Sequence, residues 1–125
     1  MHQTPLSLAA MNGFADGVAA LLTAGANVNL VLPNDPTRAT ALIKAVTGCT
    51  PTTERAHMAT VAALLAARGV TLNALNRDGH CALHLAVQHN FHSIVTALLS
   101  AAADPTVSTP DGDTALHVAL DNAPL

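Results

Sequence analysis

Apolar residues return along this chain at helical spacing, in paired blocks separated by polar turns. The second block of each pair carries a valine with leucines three and four positions on: Val18 with Leu21 and Leu22, Val61 with Leu64 and Leu65, Val95 with Leu98 and Leu99. That spacing lines one face of an α-helix. Ahead of each stands a shorter block: TPLSLAAMNG from Thr4, TALIKAVTG from Thr40 and CALHLAVQHN from Cys81. A further one, TALHVALDN, starts at Thr114. The unit predicted is helix, turn, helix, then a loop.

The punctuation agrees with those elements. Thr4, Thr40 and Thr114 stand where a hydroxyl can cap the free N–H groups of a first helical turn. Pro5 takes the first helical position, where its missing N–H costs nothing. Gly13 divides the first pair of helices, and Gly25 and Gly69 follow second helices as stop signals.

Block starts at 4, 40, 81 and 114 lie 36, 41 and 33 residues apart. A 33-residue period with T-P-L opening a helix is a repeat signature. The residues carrying it are Thr4-Pro5-Leu6, Cys81-Ala82-Leu83-His84-Leu85-Ala86, Thr114-Ala115-Leu116-His117-Val118-Ala119 and the loop entry Gly25-Ala26-Asn27-Val28-Asn29. On these the chain resembles the ankyrin repeat family, over nearly all its 125 residues. The resemblance implies an all-α solenoid of helix-turn-helix units joined by projecting β-hairpin loops, the fingers. About four repeats fill one domain, 1–125, at roughly 1–35, 36–75, 76–108 and 109–125, the last truncated.

Two departures individualise it. The finger region NLVLPNDPTRA is three residues longer than the plain period, and repeat two carries eight further residues around GCTPTTERAH, at 48–55. Pro51 and the threonines there predict a new helix capped near Thr50 or Thr52. Repeat arrays need terminal units with a polar outer face, and neither end shows one. The expectation is either a fragment of a longer array or an end covered by another chain.

Composition narrows the function classes. Half the residues are apolar, yet only Phe14 and Phe91 are aromatic, so many close helix contacts must replace a few large anchors. The net charge is −3, and Arg38, Lys44, Arg55, Arg68 and Arg77 are scattered. Nucleic acid and membrane surfaces are therefore not expected partners. No apolar run approaches the roughly 20 residues of a membrane span. MHQTPLSLAAMNG lacks a basic region ahead of an apolar core, so no signal peptide is expected. Cys49 and Cys81 are then expected reduced, and the chain cytoplasmic, with the nucleus as the alternative.

Candidate chemistry concentrates in HCALHLAVQH, at 80–89. Cys81 and His89 would lie roughly 12 Å apart along one helix, too far to share a metal ion. His84 and His117 share one place in the repeat, where the resemblance implies a hydrogen bond into the turn of their own or the neighbouring repeat. Cys81 replaces the capping threonine of the other repeats, and Cys49, in the insertion, is the thiol expected to be modified more readily. Asp111-Gly112-Asp113 lacks the further ligands of a calcium loop and reads as a hairpin turn. No catalytic, cofactor or metal residues are expected.

Binding remains. In the family, partners lie against the fingers and the concave face of the first helices. Those places hold Gln3, Met11 and Asn12 in repeat one, and Arg38 and Thr47 in repeat two. They hold Arg77, Asp78, His80, Gln88 and His89 in repeat three, and Asp111, Asp113, Asp121 and Asn122 in repeat four. Each is read either as a contact or as a merely solvated position. Asn29 matches a context in which family members are hydroxylated. The function expected is a non-catalytic protein-interaction module. The alternative is a regulatory or targeting segment of a larger enzyme, channel or signalling protein, packing in cis or self-associating through uncapped ends.

Overall fold

The computed structural model describes residues 4–122, with the side chains of 4–118. Among the described residues seven helices follow one another: α1 (Pro5–Met11), α2 (Ala15–Thr23), α3 (Ala41–Thr47), α4 (Glu54–Leu65), α5 (Ala82–Gln88), α6 (His92–Ser100) and α7 (Ala115–Asn122). First helices stack in one row, α1 on α3, α3 on α5 and α5 on α7; second helices α2, α4 and α6 stack in another. The predicted helix pairs are all present.

Capping explains where the first helices start. Thr4 Oγ1 accepts from Ser7 N–H at 3.0 Å, and Thr40 Oγ1 from Ile43 N–H at 3.4 Å. Thr114 differs: its hydroxyl lies 2.9 Å from His117 Nδ1 and turns to that imidazole instead. Between the rows, Val18, Val61, Leu64, Ile94 and Leu98 have no solvent exposure, nor do Ala10, Ala45 and Ala86. These alanines let neighbouring backbones approach closely, which is how a core with little aromatic area is filled. The leucine pairs are not equivalent, as the spacing alone suggested. Leu64 and Leu98 face inward, whereas Leu21, Leu22 and Leu65 are half-buried and Leu99 is exposed. A helical step of about 100° carries the second leucine from the inner face to the flank.

The fingers precede α3, α5 and α7 and form only the tips of the expected β-hairpins. In the finger before α5, Gly79 N–H donates to Asn76 O at 3.0 Å and Asn76 N–H to His80 O at 2.9 Å. In the finger before α7, Gly112 N–H donates to Thr109 O and Thr109 N–H to Asp113 O, both at 2.8 Å. No strand occurs among the described residues. Side chains close each tip locally: Asn76 Oδ1 accepts from Asp78 and His80 N–H, and Thr109 Oγ1 from Asp113 N–H. Such a turn needs no ladder beneath it.

The insertion of repeat two folds back onto the stack. Thr50 N–H donates to Thr53 Oγ1 at 3.1 Å and Thr53 N–H to Thr50 Oγ1 at 3.2 Å. These reciprocal bonds occupy both hydroxyls, so α4 begins after Thr53 without a side-chain cap, past the Thr50 and Thr52 positions expected. His57, on the first turn of α4, is buried; its Nε2 lies 2.8 Å from Met11 O at the end of α1. Cys49 is likewise buried, with Sγ 3.8 Å from Thr50 O. Burial, and then the nearby Glu54 carboxylate, pushes its thiol pKa up. The thiolate is the reactive form, and Cys49 lacks the exposure that its loop position suggested, although at 8% it is less buried than Cys81 at 1%.

Candidate interaction face

Counting back from the first-helix cap puts the fingers in register. Asp35, Asn76 and Thr109 then hold one place, and Arg38, Gly79 and Gly112 another. Asp35 does the turn-closing work of its counterparts: its Oδ1 accepts from Thr37 N–H at 2.9 Å and Thr37 Oγ1 at 2.7 Å. Gly79 and Gly112 take left-handed φ angles of 80° and 87°, and Arg38 is held at 51°. For a residue with a Cβ that conformation costs about 1–2 kcal/mol.

The same register exposes a second substitution. Lys44 stands on α3 where α1 has Leu8 and α5 has Leu85. It is buried, and its Nζ lies 2.8 Å from Asp35 Oδ2, the one ion pair among the described residues. Burial alone would raise the Asp35 pKa. The hydrogen bonds from Lys44 and Thr37, with the Lys44 charge, outweigh it and hold the group at about 2.

Arg77 joins the two neighbouring fingers. Its N–H donates to Thr37 O at 2.8 Å, and its guanidinium reaches Pro36 O at 3.4 Å. Two cavities meet at this bridge. One, of about 450 Å³, is lined by Pro33, Asn34, Asp35, Pro36, Arg38 and Arg77. The other, of about 320 Å³, shares Pro36 and Arg77 and extends past Thr37, Ala39, Lys44, Asn76 and Asp78 to Met11, Thr47 and Leu85.

Of the candidate contact residues, the structure thus gathers Met11, Arg38, Thr47, Arg77 and Asp78 around two adjoining cavities. Asn12, Gln88 and His89 are exposed at the ends of α1 and α5. His80 is half-buried, its ring 6.0 Å from that of His84, and His89 lies 5.8 Å from Phe91. Asp111 is exposed and Asp113 half-buried in the finger before α7, and neither lines the two cavities. Gln3 lies outside the described residues, as do the side chains of Asp121 and Asn122. Lys44, Pro36 and Leu85 were missed. The signal for Lys44 was available: a lysine in register with leucines asks for a buried partner.

Within the histidine-rich stretch, His84 takes the structural role that the resemblance implied. His84 is buried; Cys81 N–H donates to its Nδ1 at 3.2 Å, so Nε2 carries the hydrogen and donates to Val107 O at 2.8 Å. Cys81 is buried with Sγ 3.3 Å from the same Nδ1. His117 repeats the inner half of this arrangement, accepting from Thr114 N–H at 3.1 Å. No group of three or more metal-ligating side chains occurs among the described residues.

Asn29 is a clamp between repeats. Its Nδ2 donates to Gly69 O at 2.7 Å, and its Oδ1 accepts from Thr71 N–H at 2.8 Å and Thr71 Oγ1 at 3.0 Å. Asn73 repeats the contact one unit on, accepting from Asp104 N–H at 2.8 Å. Hydrogen bonds from Thr106 in turn hold the Asp104 carboxyl below its ordinary range.

Comparison with known proteins agrees with the helix stack. A model of ankyrin repeats in three copies matches residues 52–124, and a single ankyrin repeat model matches residues 1–31. The Nuclear factor NF-kappa-B p105 subunit of Gallus gallus is 34% identical over 148 aligned positions, covering 95% of this chain. The chain spans 15% of the length of that relative.

Proposed function

The chain belongs to the ankyrin repeat family, and from that premise we propose that it is a non-catalytic module holding a partner protein against the fingers before α3 and α5 and the ends of α1 and α3. Ankyrin repeats generally mediate protein–protein interaction. The observation that carries the assignment is the pair of adjoining cavities on this face, where five of the candidate contact residues meet. A stack fixed by buried caps and inter-repeat bonds presents such a face already ordered, so association loses little conformational entropy. The relative of Gallus gallus is by name a subunit, which supports a role in assembly. The setting we propose is cytoplasmic, with the nucleus as the alternative; two free, buried thiols support a reducing compartment. No helix among the described residues is long and apolar enough to cross a membrane.

Capture from cell extract tests this reading. The wild-type chain is expected to retain a protein that Thr47→Arg and Asp78→Arg release, with helix content unchanged by circular dichroism. Equal capture by all three would sink the proposed face. A second reading, packing in cis or self-association, is favoured by Phe14 and Leu116, exposed at 60% and 66%. Mass rising with concentration in sedimentation, and abolished by Leu116→Glu, would favour it.

A further inference from the structure

We infer that the cavity between Arg38 and Arg77 is a carboxylate site, docking an extended segment of a partner protein through an aspartate or glutamate side chain. The inference rests on the interaction reading above and names the chemistry of its partner.

Three observations converge on it. The first is charge. Two arginines line one cavity, and the carboxylate beside them, Asp35, is already engaged by Lys44 at 2.8 Å and by Thr37. Among the described residues neither arginine has an acidic partner; Arg77 makes a 3.4 Å bond to a carbonyl, and the Arg38 side chain makes no hydrogen bond there. Paired arginine forks match the geometry of a carboxylate and bind it at two points.

The second is backbone conformation. The other fingers place glycine at the position of Arg38, with φ of 80° and 87°, and this chain holds an arginine there at 51°. The turn itself has no use for a long cationic side chain. Strain retained by a residue that lines a cavity points to a role in contact.

The third is the neighbouring cavity, which shares Pro36 and Arg77 and presents Met11, Ala39 and Leu85. Asp78 lines that second cavity and repels another acid. The docking segment therefore carries its carboxylate beside an aliphatic residue rather than in an acidic run.

Two fluorescein-labelled peptides, glycine-flanked Leu-Glu-Leu and Leu-Gln-Leu, test the assignment by anisotropy on the whole chain. The glutamate peptide is expected to bind about tenfold tighter or better, the margin of a charge-assisted over a neutral hydrogen bond. Arg38→Gly and Arg77→Ala each remove that preference, while Arg68→Ala, outside both cavities, keeps it. Arg38→Gly does so without lowering the thermal midpoint, because glycine suits the finger. Equal binding of the two peptides, binding of neither, or a preference that survives Arg38→Gly and Arg77→Ala would overturn the proposal. If the extract partner is still released by Thr47→Arg in any of those cases, the interaction face stands and the carboxylate assignment alone falls. If it is not, both fall.

Discussion

Repeat three secures the loop after its second helix with a neutral imidazole, whereas repeat two secures the finger before α3 with a buried ion pair. His84 on α5 reaches forward 23 residues to Val107 O, in the loop between α6 and α7. Ile43 takes that place on α3, one position before Lys44, which reaches back to Asp35 in the preceding turn. The two devices differ in what each asks of its surroundings. An imidazole satisfied at both nitrogens leaves no charge inside. An ammonium and a carboxylate at 2.8 Å leave two, each dependent on the other. The lesson is that one scaffold position can be filled by an apolar side chain or by half of an ion pair. The second choice binds the fate of α3 to that of its finger.

The largest effect follows from separating the pair. Asp35→Ala strands a buried ammonium and is expected to cost about 3–5 kcal/mol in urea denaturation. Lys44→Leu combined with Asp35→Asn restores the residues that repeats one and three carry at those places, Leu8, Leu85 and Asn76. Asparagine keeps the Oδ1 that accepts from Thr37. The double variant should match the wild type or exceed it by about 1–4 kcal/mol. A double variant as unstable as Asp35→Ala would show that the pair contributes more than a leucine can replace.

Acid titration sharpens the same contrast. The Asp35 pKa is about 2 when folded against an ordinary 3.8. A depressed folded value gives stability that is fully present above the unfolded pKa and is lost as pH falls through the folded one. The wild type should therefore weaken between pH 3.8 and about 2. The double variant should lose less over that window, and parallel curves would rule out Asp35 as the source.

Deleting the imidazole of repeat three is milder. His84→Ala leaves Val107 O and Cys81 N–H without their partner, at a cost of about 1–3 kcal/mol. Its signature is local. Hydrogen exchange should quicken at Thr109 and leave Thr37, whose N–H is held by Asp35, unchanged. Uniform quickening would mean that the repeats open together.

The residues themselves say why the helices were legible and the face only partly so. Helix starts were written in Thr4 and Thr40, and the inner row in Val18, Val61, Leu64 and Leu98, because helical periodicity and capping act over a few residues. His57 was silent, since its acceptor on Met11 lies 46 residues away and nothing near it in the chain announces the contact. Cys49 misled for the same reason: a loop that folds back reads like one that projects. Arg38 and Lys44 are a middle case. Both were visible as a cation in a glycine place and a cation in a leucine place, once the fingers are registered from the helix caps. As members of a scattered basic set they carried no such message.

Repeats two and three differ last at the ends of their second helices, where the smallest effect is expected. Gly69 takes φ of 79° and Ala102 takes 77°, and Gly25 in repeat one takes 97°. The turn after α6 closes like the one after α2. Ala102 N–H donates to Leu99 O and Ala103 N–H to Leu98 O, as Gly25 N–H does to Leu22 O and Ala26 N–H to Leu21 O, all at 3.0 Å. These bonds fix the left-handed residue, whatever its side chain. An alanine there costs about 1–2 kcal/mol, and a glycine recovers this less about 0.4–1 kcal/mol for the extra freedom of the unfolded chain. Ala102→Gly should therefore stabilise by up to about 1.5 kcal/mol. Gly25→Ala should destabilise by a similar amount, although its methyl would meet nothing within 4 Å. Because that site is open, a loss there isolates backbone strain from crowding. A gain there would mean that the unfolded chain, and not the turn, sets the balance in both repeats.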